Sequence, residues 1–172
     1  MRISLLVFSI LLMTVSCMKQ RSAPQAEPPI TQRSERPVTP IVTDTMLYYS
    51  RGACYGMCPI FEFTVMKDGR AVYIGKNHVD RIGRFQAVIK HSDIAPVLQK
   101  ANEIGYFELN AVYDNEGVQD LPNIITGIAH NGKLHLVRNR YKGPTALRML
   151  YLELDSLIAN QTWNPATVIM QD

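Results

Sequence analysis

Three cysteines are the side chains with the clearest chemistry in this 172-residue chain, and two of them lie close together. Cys54 and Cys58 are separated by three residues, and Gly56 between them gives the short loop a way to turn. Two thiols at this spacing can form a disulfide, exchange electrons with other thiols or hold a soft metal ion. If Cys17 is modified, an even number of thiols remains, which in an oxidising compartment favours a disulfide. So small a ring contributes about 2 kcal/mol to stability.

The stretch from Cys54 to Pro59 is similar to the Cys-x3-Cys-Pro copper motif of the cytochrome oxidase assembly chaperones. In that family two thiolates and a distant histidine hold the metal, and soft thiolates suit Cu(I). The candidates for the third ligand here are His78, His91, His130 and His135. That family places its motif before a helix, whereas residues 59–63 continue with the pattern of a strand. We therefore predict no bound metal and no cofactor. Thiol-redox or copper chemistry at Cys54 and Cys58 is the alternative.

Cys17 ends an N-terminal segment with the pattern of an export signal. Arg2 supplies a positive start, and residues 3–15 form an apolar run. The run is too short for a transmembrane helix, which needs about 20 residues. Ser16-Cys17 after such a run resembles the lipobox of bacterial lipoproteins. The resemblance implies that residues 1–16 are a signal peptide and that Cys17 carries a diacylglyceryl group.

The residues after Cys17 indicate which membrane holds the protein. Met18 is not the aspartate that retains enteric lipoproteins in the inner membrane, and residues 19–21 lack the acidic run that resembles a surface-export signal in Bacteroidota lipoproteins. We predict an outer-membrane anchor with the domain facing the periplasm. The predicted partners are the membrane, through the N-terminal lipid, and an unknown envelope protein or ligand.

Residues 17–43 are predicted to be a lipidated tether. Five of the ten prolines fall within the 22 residues of 22–43, where bulky apolar residues are few. Such a composition buries too little apolar surface to offset the entropy of ordering, and proline keeps the chain extended. At about 3.1 Å per residue, the segment reaches on the order of 70 Å.

The domain itself is electrically balanced. From Asp44 onward the chain carries 13 basic and 13 acidic residues, so the net charge of +3 comes from the first 43 residues. A nucleic-acid-binding domain usually shows a basic face with aromatic platforms. The charge count and the predicted location therefore exclude nucleic acid as a partner.

Two hairpins are predicted from alternating apolar residues and turn signals. The first joins strands at 61–65 and 71–75 through the tight turn Asp68-Gly69. Short apolar runs at 46–50 and 85–89 flank it on either side. The second hairpin is centred on Asn131-Gly132, between the runs at 123–129 and 133–139, and is the strongest hairpin signal in the chain.

Each hairpin is followed by residues with the period of an amphipathic helix. The first helix is expected to begin at Ser92 or Asp93 and to end at Gly105. Pro144 is expected at the first position of the second helix. The apolar stripe of the second helix consists of Leu147, Leu150, Tyr151, Leu154, Leu157 and Ile158.

The order of elements, βββ(β)αββα, contains no strand–helix–strand alternation. It therefore predicts an α+β fold with an antiparallel sheet of about five to six strands in two hairpin units, each followed by a helix packed on one face. We predict a single domain over residues 44–164 and a C-terminal tail over residues 165–172.

The loop at residues 113–120 gathers three carboxylates, those of Asp114, Glu116 and Asp120. It lacks the helix-flanked calcium-loop signature, so we interpret it as a solvated loop. The chain contains no nucleophile elbow, phosphate-binding loop or metalloprotease helix motif. We therefore predict that the protein is not an enzyme.

One further pattern is more specific. Residues 51–61 read RGACYGMCPIF, and an alternating strand with Asp68-Gly69 follows. Together with Asp120-Leu121-Pro122 before the second hairpin, this pattern resembles a family of bacterial lipoproteins with domain of unknown function 6438. The resemblance covers most of residues 45–158. It implies an exported, anchored domain and supplies no reaction or ligand. We therefore expect a non-catalytic binding or interaction module.

Overall fold

A computed structural model describes residues 44–166, which belong to one compact unit. The strands are β1 (Thr45–Arg51), β2 (Ile60–Met66), β3 (Arg70–Asn77), β4 (Gly83–Val88), β5 (Val112–Tyr113), β6 (Ile124–His130), β7 (Lys133–Asn139) and β8 (Asn164–Pro165). The helices are α1 (His91–Glu103) and α2 (Leu147–Ala159), with a short 3-10 helix at Tyr106–Glu108. One sheet contains all eight strands in the spatial order β5-β7-β6-β1-β2-β3-β4-β8.

Both predicted hairpins are present. β2 pairs antiparallel with β3, with Phe63 opposite Tyr73. β6 pairs antiparallel with β7, and Asn131 and Gly132 form the turn between them with φ values of 49° and 76°. A two-residue turn that matches the right-handed twist of the flanking strands needs positive φ at both central residues. Asn-Gly adopts this conformation most readily.

The core lies between one face of the sheet and the two helices. Phe61, Phe63 and Val65 of β2 are buried on that face, as the alternation predicts, and α1 and α2 bury their apolar stripes in the same cluster. α1 buries Ile94, Val97 and Ala101. The fold is thus the expected α+β domain with a sheet and two helices.

Tertiary packing, rather than local capping, stabilises both helices. Neither helix has a side-chain hydrogen bond at its N-cap residue. α2 instead buries all six apolar residues of its predicted stripe. Full burial of a leucine or isoleucine side chain contributes roughly 1.5–3 kcal/mol, more than a cap contributes.

The sheet departs from the prediction in two respects. It has eight strands rather than five to six, because β5 and β8 are two-residue strands at its edges and are too short to show a period. β5 pairs parallel with β7, whereas the other neighbouring strands are antiparallel. Pro165 in β8 is compatible with an edge strand, since an edge does not need every backbone N–H.

The helix starts also differ from the prediction. α1 begins at His91, before Ser92 and Asp93. α2 begins at Leu147, because Pro144 lies in a preceding turn in which the N–H of Leu147 donates to the carbonyl oxygen of Pro144 at 3.1 Å. Neither helix in residues 44–166 combines the length and the apolar character that a membrane crossing requires.

Candidate functional site

Several loops meet at one end of the sheet. β1 and β3 end here, at Arg51 and Asn77. β2 and β4 begin here, at Ile60 and Gly83. β6 begins at the same end, opposite Arg51. We call this end, formed by residues 52–59, 78–82 and 114–123, the loop end.

A disulfide joins Cys54 and Cys58 within the first of these loops, as predicted, with their Cα atoms 5.9 Å apart. The bridge closes a ring of five residues directly between β1 and β2. A closed ring restricts the conformations of the loop. The disulfide therefore braces the chain where it turns from one central strand to the next.

Two backbone hydrogen bonds hold this loop against a second one. The N–H of Gly52 donates to the carbonyl oxygen of Asn123 at 2.9 Å, and the N–H of Tyr55 donates to that of Asp120 at 3.0 Å. The cysteine motif and the Asp120-Leu121-Pro122 segment, far apart in sequence, are therefore neighbours at the loop end.

Large apolar side chains are exposed at the loop end. Tyr55 is 93% exposed and Met57 is 85% exposed, and both belong to the disulfide loop. Ile82 and Leu121, on the two other loops, are also exposed. Exposed large apolar side chains close together in one braced loop, as Tyr55 and Met57 are, are typical of contact surfaces.

A hydrogen-bonded network connects the end of β1 to α2. The Arg51 side chain donates from Nε to the Tyr49 hydroxyl oxygen at 2.6 Å and from a terminal nitrogen to Asp155 Oδ2 at 2.6 Å. The Tyr49 hydroxyl donates to Asp155 Oδ1 at 3.1 Å. The Arg51 guanidinium also lies 5.5 Å from the centre of the Tyr49 ring, within the range of a cation–π contact.

Burial governs the titration of this network. It raises the pKa of the Asp155 carboxyl group, and the attraction of Arg51 and the hydrogen bonds from Tyr49 and Arg51 offset the rise only in part. Burial, assisted by the negative charge of Asp155, also raises the pKa of the Tyr49 hydroxyl group. Tyr49 therefore acts as a neutral hydrogen-bond donor. The hydrogen bonds and the ion pair of Asp155 only partly replace the water that its carboxyl group loses on burial.

Beside this network is a cavity of about 360 Å³. The rings of Phe61 and Tyr73 form its aromatic wall and are 5.5 Å apart at an interplanar angle of 28°. Its polar lining comes from Asp155 on α2 and from three side chains of the loop after β3, those of His78, Asp80 and Arg81. Pro59, next to Cys58, also lines the cavity. Its volume lies in the usual range for small-ligand sites.

Gly75 allows the wall formed by residues 78–82 to exist. A Cβ atom at this position would overlap the backbone carbonyl group of Arg81 and would lie 2.9 Å from a methyl carbon of Val79. Because only glycine leaves this space, the loop folds back against β3 and brings His78, Asp80 and Arg81 to the cavity.

The candidate metal ligands are not brought together. Of the four histidines, His78 alone lies at the loop end; His91 is the first residue of α1. The ring of His130 stacks on Phe107 at 4.1 Å, and His135 packs edge-on against Tyr106 at 5.4 Å. Within residues 44–166, no three side chains of the His, Cys, Asp and Glu types are grouped so that they could hold a metal ion.

The acidic loop is held by arginines. Asp114 accepts hydrogen bonds from Arg140 at 2.6 Å and from Arg138 at 3.1 Å. The hydrogen bond from Arg140 is the largest of the effects that lower the pKa of the Asp114 carboxyl group. Asp114 thus fastens its loop to the end of β7, whereas Glu116 and Asp120 are exposed.

Neither the cavity nor the network is visible in the sequence. Arg51 and Asp155 are 104 residues apart, and neither belongs to a recognisable motif. A pair of glycines, Gly75 and Gly83, brackets the cavity-wall loop. In the sequence, these two glycines indicate that another segment of backbone comes close to the strand. Cys17, residues 1–16 and the tether lie outside the described residues, as do residues 167–172 of the tail.

The fold and this site define a class: a small α+β domain whose sheet is covered on one face by two helices and carries a disulfide-braced loop end. The chain belongs to the family with Domain of unknown function (DUF6438), whose model matches residues 45–158. The matched range contains residues 51–61 and residues 120–122. No curated protein matches the chain.

Proposed function

We propose that this protein is a lipid-anchored protein of the cell envelope whose α+β domain is a non-catalytic binding module, with the loop end as its contact surface. The observation that carries the proposal is the exposure of Tyr55 and Met57 on a loop closed by a disulfide. The partner is an envelope protein or ligand, and nucleic acid is not a partner. The module acts without a catalytic residue, a metal or a cofactor.

The energetics of association support this use of the loop. Burying apolar surface contributes roughly 25 cal/mol per Å², and tyrosine is among the residues enriched where binding energy is concentrated. A flexible loop would lose part of this gain when it became ordered. The disulfide and the two backbone hydrogen bonds to Asp120 and Asn123 order the loop before any partner arrives.

The location belongs to the same proposal and is supported by the sequence pattern of residues 1–43. Residues 1–16 direct export, Cys17 carries the lipid, and residues 17–43 separate the lipid from the domain. We place the anchor in the outer membrane with the domain facing the periplasm. A tether that reaches on the order of 70 Å lets the domain meet partners away from the membrane surface.

A second candidate function is thiol-redox or copper handling by Cys54 and Cys58. The observation that favours it is that both cysteines are partly exposed, so that another thiol can approach them. It requires a disulfide that is readily reduced. The redox titration described in the Discussion separates the two functions.

Site-specific photo-crosslinking in native envelopes tests the proposed contact surface. A photoreactive amino acid replaces Tyr55, and the matched control carries it in place of Val88, which is also exposed (76%) but lies at the end of β4 remote from the loop end. We expect one defined adduct from position 55 and none from position 88. Equal crosslinking from both positions, or none from position 55, would contradict the proposal.

A further inference from the structure

We propose that the cavity at the loop end binds a positively charged group on an alkyl stem, the guanidinium or ammonium end of an arginine or lysine side chain. The inference rests on the proposed function, because it specifies the chemistry that a partner presents to the binding module. A free alkyl amine or alkylguanidine carries the same chemistry and is distinguished in the experiment below.

The first support is the unused hydrogen-bonding capacity of Asp155. A carboxylate offers about four acceptor positions. Here one is taken by the Tyr49 hydroxyl group and one by the Arg51 guanidinium. The Asp155 side chain lines the cavity and is 41% exposed. Acceptor positions therefore remain for a donor that enters the cavity.

The second support is the aromatic wall. Phe61 and Tyr73 both line the cavity, where they expose 6% and 5% of their surface, and the face of an aromatic ring attracts cations and disfavours anions. The Tyr73 hydroxyl group makes no hydrogen bond with any residue in the described part of the chain. It is thus available to a ligand.

The third support is that the chain already binds one cation with these same groups. The Arg51 guanidinium bonds to Asp155 and lies 6.0 Å from the centre of the Phe61 ring. These groups have the chemistry to hold a cation, and the positive charge of Arg51 offsets part of the attraction that Asp155 exerts on a second one. Asp80 adds another carboxylate to the lining.

The positive charge of Arg81 repels a cationic ligand. Removing that charge should therefore raise the affinity for a cation, and the direction of the change tests the inference. Arg81 lines the cavity and forms no ion pair with any residue between positions 44 and 166. A cationic ligand is repelled by Arg81 and attracted by Asp155, whereas an anionic ligand would show the reverse preference. Removing each charge in turn therefore reports the charge of the ligand.

The experiment measures binding of a fluorescent pentapeptide, Ala-Ala-Arg-Ala-Ala with both ends blocked, to the full-length protein in detergent. The matched peptide carries citrulline, which keeps the shape of arginine and removes its charge. We expect the arginine peptide to bind about tenfold more tightly than the citrulline peptide, because its hydrogen bonds to Asp155 are charge-assisted. Equal affinity for the two peptides would overturn the inference.

Three variants locate the site. Asp155→Asn is expected to weaken binding of the arginine peptide about tenfold, and Arg81→Gln to strengthen it about two- to fivefold. Arg148→Gln removes the same charge from an exposed position of α2 that does not line the cavity, and should leave affinity unchanged. The inference holds only if both cavity variants shift affinity in the stated directions. If Asp155→Asn fails to fold by circular dichroism, Asp80→Asn takes its place with the same expected sign.

Agmatine, a free alkylguanidine, identifies the source of the cation. Tighter binding of the peptide than of agmatine indicates a partner side chain, and equal binding indicates a small free cation. Both results keep the cationic site. Loss of the cationic site while position 55 still crosslinks would remove this inference and leave the proposed binding module intact.

Discussion

The hydroxyl group of Tyr49 donates a hydrogen bond to Asp155 Oδ1 at 3.1 Å and thereby joins a central strand to the second helix across 106 residues. The same hydroxyl oxygen accepts a hydrogen bond from Arg51 Nε. Tyr49 and Arg51, which also bonds directly to Asp155, therefore together couple the end of β1 to the helix α2.

Tyr49→Phe should destabilise the domain by about 1–3 kcal/mol. The substitution keeps the buried ring but removes two hydrogen bonds to charged groups, from Arg51 Nε and to Asp155 Oδ1, while the direct bond between Arg51 and Asp155 remains. Urea denaturation of both proteins measures the difference. Tyr48→Phe is the matched control, because Tyr48 faces the other side of the sheet and its hydroxyl group bonds to no residue within 44–166. Equal effects of the two substitutions would argue against the network.

Replacing Cys54 and Cys58 together by serine should lower stability by about 1–3 kcal/mol while the fold is retained. The loop keeps its two backbone hydrogen bonds to residues 120 and 123, so the change acts mainly on the unfolded chain. Chemical denaturation under non-reducing conditions measures the loss.

A redox titration with metal analysis decides between the structural and the chemical role of this pair. A reduction potential below about −300 mV without bound copper is expected for a structural disulfide. A potential of about −120 to −270 mV, or copper in stoichiometric amount, would instead establish the redox or copper-handling function.

Asp114→Asn should destabilise the domain at neutral pH and have a progressively smaller effect in acid. Arg140 and Arg138 hold the pKa of Asp114 in the folded state below its usual value of 3.8. A carboxyl group with a lowered folded pKa stabilises the fold above its unfolded pKa, and this contribution is lost as the pH falls through the folded pKa. Urea midpoints of both proteins at pH values between about 7 and 2.5 test this sign.

Ionisation of Asp155 should have the opposite effect on stability to ionisation of Asp114. Its folded pKa is raised by burial, so its ionisation reduces stability as the pH rises from the unfolded pKa through the folded one. Carbon-detected NMR titration should find the Asp155 carboxyl group above 3.8 and that of Asp114 below it. The reverse order would contradict both assignments.

Gly75→Ala should cost about 1–3 kcal/mol and displace the loop at residues 78–82. The added methyl group overlaps the backbone carbonyl of Arg81, which cannot move without its loop. Gly117→Ala is the control, because a Cβ atom there meets only a side-chain oxygen of Asn115, at 3.3 Å. Thermal denaturation and amide NMR shifts of residues 78–82 provide the measurement. A Gly75→Ala protein with unshifted loop resonances would show that the close approach is not required.

Cys17→Ser should abolish lipidation and leave the precursor unprocessed. The prediction follows from the apolar run that ends at Ser16-Cys17, because the thiol is the group that accepts the lipid. Mass spectrometry and detergent partitioning of the variant test it. If the variant still has a lipidated mass, Cys17 is not the anchor.

Much of the fold follows from local sequence signals. The alternation of Phe61, Phe63 and Val65 and the turn at Asn131-Gly132 require only neighbouring residues, and both are seen as expected. The buried stripe of α2 was likewise visible from its period. By contrast, β5 and β8 exist because longer neighbours offer them edge hydrogen bonds, and two residues carry no period of their own.

The candidate site was predicted only in part. Cys54 and Cys58 are close in sequence, so their pairing could be inferred from spacing and compartment. The cavity is lined both by α2, through Asp155, and by the loop after β3, through Asp80 and Arg81. Such a cavity depends on the tertiary arrangement of distant elements, and no single segment encodes it.

The position of β1 also has a mechanical consequence. The chain enters the domain at Thr45, the first residue of β1, and the disulfide loop leaves from Arg51, its last residue. A pull between the preceding chain and a partner held at the loop end therefore acts along the length of β1. Because the disulfide loop is continuous with β1, the covalent backbone of this extended strand carries the force from Thr45 to the loop, and the hydrogen bonds to β2 and β6 are loaded in shear only where a partner holds the neighbouring loops. A force applied across the strand would instead open those bonds one after another.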